Sequence, residues 1–537
     1  MVATSDGAPK CGHRACAAAR DWPTGYPTLP LPTMATQVHV AFLWHMHQPW
    51  YALPDSAVNL LPWTRLRAAK DYTDMAAFIE KGEVPVTVNF TPSLTEQLHR
   101  YAIGSLTDPY FPSAADDRSS ADLTTGAVPL PVTRRGFPAP NLDGLRRAAT
   151  TPHGEQALWG WFLLSWIAQS VLEEDRVLAE IAQKGTFSAS DLRGLEELHR
   201  RLVRGVLPRY RRLATQGGIE LTTTPFYHPI LPLLLDSTVA RRPRPEDPIP
   251  SFSAPDDARE QVKRALVHHE ATFGSRPQGT WPAEGAVSPE AAAAFADVGV
   301  RWIATDGGIL ARSLGRPPTP EELYRPWRFS VVNGEVTVLF RDTHLSNSLS
   351  FQYHAWRAED AVGDLVRRFR EIGQTWRKTG PPLILIAMDG ENAWDFYDRN
   401  GRSFFEALYR ALRRTPGVVP ITVSEYLDRF GAGEFLPDLW SGSWIDEDFR
   451  TWIGHPEQNS AWERLAAAHE AVVDCPDRAA RDRARDHLLV AEGSDWFWWY
   501  GPHHTAAHEP VFDRLFRGHV AQAYRELGQP VPADLTP

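Results

Sequence analysis

The sequence predicts an α/β chain: a β/α barrel followed by a helical C-terminal region. Two observations carry this. Short apolar runs alternate with helical patterns, the arrangement that gives a parallel sheet with crossover helices. Several of those runs also deliver a polar residue to one end, at His47, Glu220, Glu284, Asp306, Asp342 and Asp389. Barrels keep their sites at that end. An open doubly wound sheet is the alternative, but no phosphate-binding glycine fingerprint follows the first run.

Element by element, Val38 to Trp44 reads as a buried parallel strand, with His45, His47 and Gln48 at its C-terminal end. Lys70 to Lys81 has helical spacing. Val84 to Phe90 is a second strand, and Thr91-Pro92-Ser93 opens a helix. Residues 108–150 are loop-rich, and residues 154–215 read as a helical insertion holding Trp159, Trp161 and Trp166. Gly218 to Thr223 is the next strand. A Pro- and Arg-rich loop spans 237–252, and Ala258 to Phe273 is a helix. Gly279 to Trp281 leads into a loop holding Glu284, then a helix starting near Ser288-Pro289. Strands then end at Asp306, at Arg341 and Asp342, and at Asp389; "VVPITVSEYL" closes the series. Beyond residue 430, "AWERLAAAHEAVVD" and "AARDRARDHLLVAEG" are helical and lead to the cluster Trp496 to Tyr500. The expected domains are an extension at 1–33, a barrel at 34–429 and a helical domain at 430–537.

Composition narrows the function. The 537 residues carry a formal net charge of −10, which argues against a nucleic-acid-binding surface. No apolar run reaches the roughly 18 residues a membrane span needs. Three Cys rule out a disulfide framework. Cys11, Cys16 and His13 form a weak zinc pattern in a segment without apolar periodicity. That segment, residues 1–33, lacks the apolar core of a signal peptide, so it is expected to be disordered ahead of Met34 and the chain to be cytoplasmic. The 20 Trp suit flat ligands such as sugar rings, and suit core packing equally well.

Glu284 and Asp389 lead the candidate chemistry. Two carboxylates across a cleft are what glycoside cleavage requires, one as nucleophile or base and the other as proton donor. A strand-end carboxylate more often caps the next helix, and Glu391 and Asp395 compete for the acid role. His45 and His47 lie on one face of their strand. That H-x-H spacing suits metal ligands, yet no second His pair completes a shell. Neutral rings bonding to ligand hydroxyls are the favoured reading, and no metal or cofactor is expected. His228, His344, His503 and His504 are loose candidates. Trp281, Trp394 and Trp496 are candidate sugar platforms, with Trp394 and Trp496 favoured by their polar neighbours.

Five blocks in order then resemble glycoside hydrolase family 57, specifically its amylopullulanase/α-amylase-type group. They are His47-Gln48-Pro49; "GGIELTTTPFYHPILPLL" with Glu220 and His228; "GTWPAEGAVSPE" with Glu284; "IAMDGENAW" with Asp389; and "LLVAEGSDWFWWYG" with Trp496. The resemblance implies an incomplete seven-stranded (β/α) barrel, retention of configuration, and a 430–537 helical domain that contributes to the cleft. It also implies action on α-glucans or maltooligosaccharides, with Glu284 as nucleophile and Asp389 as acid/base. The "DGEN-x-W" match favours hydrolases over the family's 4-α-glucanotransferase and branching groups. His45, His47, Glu220, His228, Trp281, Asp306, Trp394 and Trp496 are the expected substrate-binding residues. The rivals are a metal-dependent deacetylase or amidohydrolase built on His45 and His47, and a non-catalytic glycan-binding protein.

Overall fold

The computed structural model describes residues 37–111, 123, 142–149, 151–502, 504 and 507–535. The 1–33 extension, the Cys11–His13–Cys16 pattern, His503 and most of the 112–141 loop lie outside these residues.

Seven parallel strands close a ring in the order β1 (Val38–Met46), β2 (Val86–Phe90), β3 (Ile219–Thr223), β4 (Gly279–Thr280), β5 (Trp302–Asp306), β7 (Gly334–Arg341) and β8 (Leu383–Asp389). β8 returns to β1 over seven paired positions, from His39↔Leu383 to His45↔Asp389. Two seams are thin: β3 meets β4 only at Thr223↔Thr280, and β7 meets β8 only at Arg341↔Leu385. The ring is therefore a barrel with weakly stitched sides.

All nine residues of β1 are buried, and period-two alternation splits them. Val38, Val40, Phe42, Trp44 and Met46 pack outward among the surrounding helices. Ala41 and Leu43 join Ala304, Leu339, Leu385, Ala387, Trp281 and Trp302 in a separate interior core. Two residues further along each strand, the same alternation turns His45 and Asp389 inward at the C-terminal mouth.

Two local features depart from the sequence expectation. The helix around 70–81 starts earlier, at Trp63, and includes a π-helical turn at Ala68–Tyr72. The run before Arg341 is a hairpin: β6 (Trp327–Val331) pairs antiparallel to β7. β9 (Val418–Pro420) adds three residues beside the start of β1 before the helix Val423–Phe430.

The 154–215 region is a run of helices, Pro152–Ser165, Gln169–Glu174, Arg176–Lys184 and Ala189–Thr215, the last opened by a Ser188–Asp191 capping box. C-terminal helices Pro456–Val473, Arg478–Ala491 and Glu509–Glu526 bury Trp462, Leu488, Phe512 and Phe516 in the same core as Trp63, Trp166, Leu234 and Phe252. No described helix is long and apolar enough to cross a membrane.

Candidate active site

The site is built at the mouth of β1, β2, β4 and β8. The sequence Trp281-Pro282-Ala283-Glu284-Gly285 leaves β4 in a tight turn that puts Glu284 at φ 55°, ψ 24°. A non-glycine residue in this left-handed region costs about 1–3 kcal/mol, and such strain is retained where surrounding contacts impose it. Gly285 follows at φ 59°, where an added Cβ would sit 3.2 Å from the Trp281 ring. Glu284 is only 5% exposed. Burial first, and the nearby Asp389 charge second, push its carboxyl up to about 8. The indole N–H of Trp444 donates to Glu284 Oε2 at 2.9 Å. Across the mouth, Asp389 ends β8 beside His45.

Three histidines line the opposite wall. Asn89 spends its amide hydrogens on Thr222 Oγ1 and the Thr223 carbonyl, so its Oδ1 accepts from His45 Nδ1 at 2.7 Å. That leaves His45 Nε2 as an acceptor, 3.2 Å from His228 Nε2. His228 also sits at positive φ, 59°. Its Nδ1 lies 2.9 Å from Ser494 Oγ. His47 stacks on His228 with ring centroids 3.8 Å apart, and its Nε2 lies 2.8 Å from Asp495 Oδ1. Burial lowers the pKa of all three rings, and the crowding of each by its neighbours adds to this for His47 and His228. They are neutral at neutral pH.

Two further buried acids complete the site. Burial pushes Asp495 up to about 8, so it reaches His47 as a neutral acid at neutral pH. Burial likewise pushes Glu391 up to about 8. Its Oε1 faces the Gln48 amide and the Tyr72 hydroxyl, each at 3.3 Å, while Oε2 has no hydrogen-bond partner among the described residues. Asp395 behaves in the opposite way. Arg67 and Lys70 surround it at 2.9 and 2.7 Å, which holds its carboxyl below the usual range despite burial. Asp395 is thus an ion-pair anchor for the loop after β8.

His47, His228 and Asp495 bring one ligand atom each to within 4.8 Å of one another, close enough to consider a metal. The ring geometry disfavours a shared ion. His47 and His228 are stacked only 14° from parallel, so their in-plane lone pairs run side by side rather than converging as tetrahedral coordination requires.

Of the expected substrate-binding residues, the structure brings His45, His47 and His228 together around Glu284 and Asp389. It places the others differently. Glu220 sits near the start of β3, opposite Thr87, toward the far end of the barrel. It accepts from Thr87 Oγ1, from the Ser424 hydroxyl and from Ser424 N–H, capping the helix Val423–Phe430. Trp394 is 1% exposed, wedged against Phe405 at 4.4 Å with its N–H on the Gly390 carbonyl. Trp496 is equally buried, with its N–H on the Val490 carbonyl. Neither offers a free face to a sugar. Trp281 is fully buried and forms a wall between His45 and Trp444. Asp306 caps the helix after β5 and binds Arg341 at 2.6 Å. Sequence reasoning passed over Asn89, Trp444, Ser494 and Asp495. Asp495 stood inside the fifth block, next to the more conspicuous Trp496; Trp444 carried no signal beyond a neighbouring glycine.

Comparison with known proteins agrees with the barrel. The Glycosyl hydrolase family 57 sequence profile matches residues 41–437. A GH57 branching enzyme from Thermococcus kodakaraensis superposes with a TM-score of 0.58 at 15% identity, covering 91% of this chain and 90% of that one. The α-amylase AmyC from Thermotoga maritima gives 0.56 at 12% identity, covering 92% and 97%. The 4-α-glucanotransferase from Thermococcus litoralis gives 0.54 at 15% identity, covering 91% of this chain and 60% of that one. No curated protein sequence matches the chain.

Proposed function

The chain belongs to glycosyl hydrolase family 57, whose members are glycoside hydrolases or related glycosyl-transferring enzymes, and on that premise we propose that it cleaves α-glucosidic bonds in α-glucans with retention. Glu284 attacks the anomeric carbon and Asp389 protonates the departing oxygen, then takes a proton from water. The observation that carries this reading is the strained Glu284 turn, which holds a buried carboxyl against the charge of Asp389 at one barrel mouth. Strain and burial together are costly, and folding alone requires neither at this position.

At neutral pH burial and the Asp389 charge keep a proton on Glu284 in the substrate-free geometry. Productive attack needs it on Asp389. His45, His47 and His228 supply neutral imidazole edges suited to sugar hydroxyls, and binding there replaces water near the pair. The decisive experiment is Asp389→Asn on amylose and on an α-glycosyl fluoride. Glucan cleavage should collapse, because its leaving group needs a proton, while glycosyl formation from the fluoride should survive far better. Equal losses in that first step would remove Asp389 from the acid role.

A second reading, transfer of the glycosyl group to another glucan, is favoured by the depth of the site. Glu284, Glu391 and Asp495 are each at most 5% exposed, which limits the water available to compete with a sugar acceptor. Product chain lengths from maltooligosaccharides distinguish transfer from hydrolysis.

A further inference from the structure

Trp444 lies beyond residue 437, where the family match ends, yet it is tied to Glu284 twice. Its backbone N–H donates to the Glu284 carbonyl at 3.1 Å, and its indole N–H to Oε2 at 2.9 Å. The segment that carries it is stitched to the same turn by reciprocal bonds between Gly442 and Val287, at 2.9 and 3.1 Å. Asp446 and Glu447 just after it both adopt positive φ, 55° and 53°, and the Glu447 carbonyl accepts from the Trp440 indole. The strained turn bearing Glu284 thus faces a second strained turn that presses one ring onto it. Arg341 lies over that ring, 4.6 Å from its centroid, anchored to Asp306 and to the Ala387 carbonyl at 2.6 and 2.9 Å. A cation on an indole face draws electron density from the ring and strengthens the N–H as a donor.

We propose that Trp444 is a positioning residue for Glu284, holding Oε2 so that Oε1 alone makes and releases the bond to the sugar. This rests on the reading of Glu284 as nucleophile. No described residue hydrogen-bonds Oε1, so the two oxygens are already distinguished before substrate arrives. In the first step the Oε1–C1 bond forms, the C1–O glycosidic bond breaks, and the departing oxygen takes the proton from Asp389. Glu284 becomes a neutral ester with Oε2 as its carbonyl. In the second step Asp389 takes a proton from water, the water oxygen bonds to C1, and the electron pair of C1–Oε1 returns to the carboxylate. A donor on Oε2 stabilises the carboxylate more than the ester. It therefore favours the second step and helps to shift the proton from Glu284 to Asp389 in the free enzyme.

The test uses Trp444→Phe and Trp444→His in the full chain, with an α-glycosyl fluoride as substrate. For Trp444→Phe, turnover should fall about tenfold to a hundredfold, the range for losing one hydrogen bond to a charged group. A glycosyl adduct should accumulate on the Glu284 peptide in acid-quenched samples read by mass spectrometry. The limb of the kcat/KM profile that reports Glu284 ionisation should move to higher pH. Trp444→His, which restores a ring N–H, should recover part of both effects. If the two variants lose activity equally, with no adduct and an unmoved pH limb, the indole is packing alone and the proposal falls. If an adduct forms on a residue other than Glu284, the nucleophile assignment falls instead.

Discussion

Glu284→Gln should stabilise the protein at alkaline pH while abolishing turnover. A free Glu titrates near 4.3, whereas burial and the Asp389 charge push Glu284 up to about 8. The folded state therefore binds this proton more tightly than the unfolded chain. Its contribution to stability is fully present below the unfolded value and is lost as pH rises through about 8. At about pH 6, two units below the folded value, the contribution is about 2–3 kcal/mol larger than at about pH 9. The amide does not titrate, so the variant escapes that loss.

The measurement is the difference in Tm between Glu284→Gln and the parent protein, followed from about pH 6 to about pH 9. The difference should grow in favour of the variant by a few degrees, since a kcal/mol moves the midpoint of a large chain by only a degree or two. Histidines do not imitate this trend. His45, His47 and His228 are held neutral by burial, so they cost stability only as pH falls below their ordinary value of about 6.5. They also remain present in both proteins. A difference that is flat across the range would show that Glu284 titrates as an ordinary carboxylate, and the account of a shared proton would be wrong.

Other perturbations separate anchoring from chemistry. Arg67→Met should cost about 3–5 kcal/mol in chemical denaturation, because it leaves buried Asp71 and partly exposed Asp395 without one of their cations. Trp394→Ala should lose about 3–5 kcal/mol as a core cavity, while KM of the folded enzyme changes little; a large KM increase would restore it as a sugar platform. Glu220→Gln should lower Tm with kcat/KM nearly unchanged, since its bonds run to Thr87 and Ser424. Incubation with a strong chelator should leave activity intact, and loss restored by a divalent ion would revive the metal reading of His47, His228 and Asp495.

The barrel was legible because its strands are short apolar runs, each closing on a polar residue, and because period-two alternation fixes which residues face inward. β6 was missed although Asn333-Gly334 within "WRFSVVNGEVTVLF" is a hairpin signal, because a hairpin and a single strand bury the same apolar residues. At the site, Glu284 and Asp389 could be read locally, since each belongs to its own strand end. Glu220 could not: period two places it on the barrel axis but does not say at which end, and its position opposite Thr87 rather than Asn89 decides that. Trp394 and Trp496 misled for a related reason. Polar neighbours in sequence suggested an exposed ring, but a short turn can bury the ring and expose a residue two positions on, as Phe396 at 56% exposure shows. Asn89, Trp444 and Asp495 acquire meaning only through partners distant in sequence.

The charge balance of the site follows from its depth. The described wall holds three neutral imidazoles and, near neutral pH, two carboxyls that burial keeps protonated, Glu391 and Asp495. Asp395 and the neighbouring Asp71 share Arg67 and Lys70, two carboxylates set against two cations. Among the described residues no cation pairs with Glu284 or Asp389, so on the proposed mechanism the negative charge needed for attack stands uncompensated. The proposed glucan substrate is neutral, so ionised walls would gain nothing on binding and would cost desolvation. Positive charge develops at the anomeric carbon only in the transition state, and it meets that one charge in a low-dielectric enclosure where the attraction is strongest. On the proposed mechanism, the same burial that raises Glu284 in the resting enzyme makes its ionised form more effective once its proton has left.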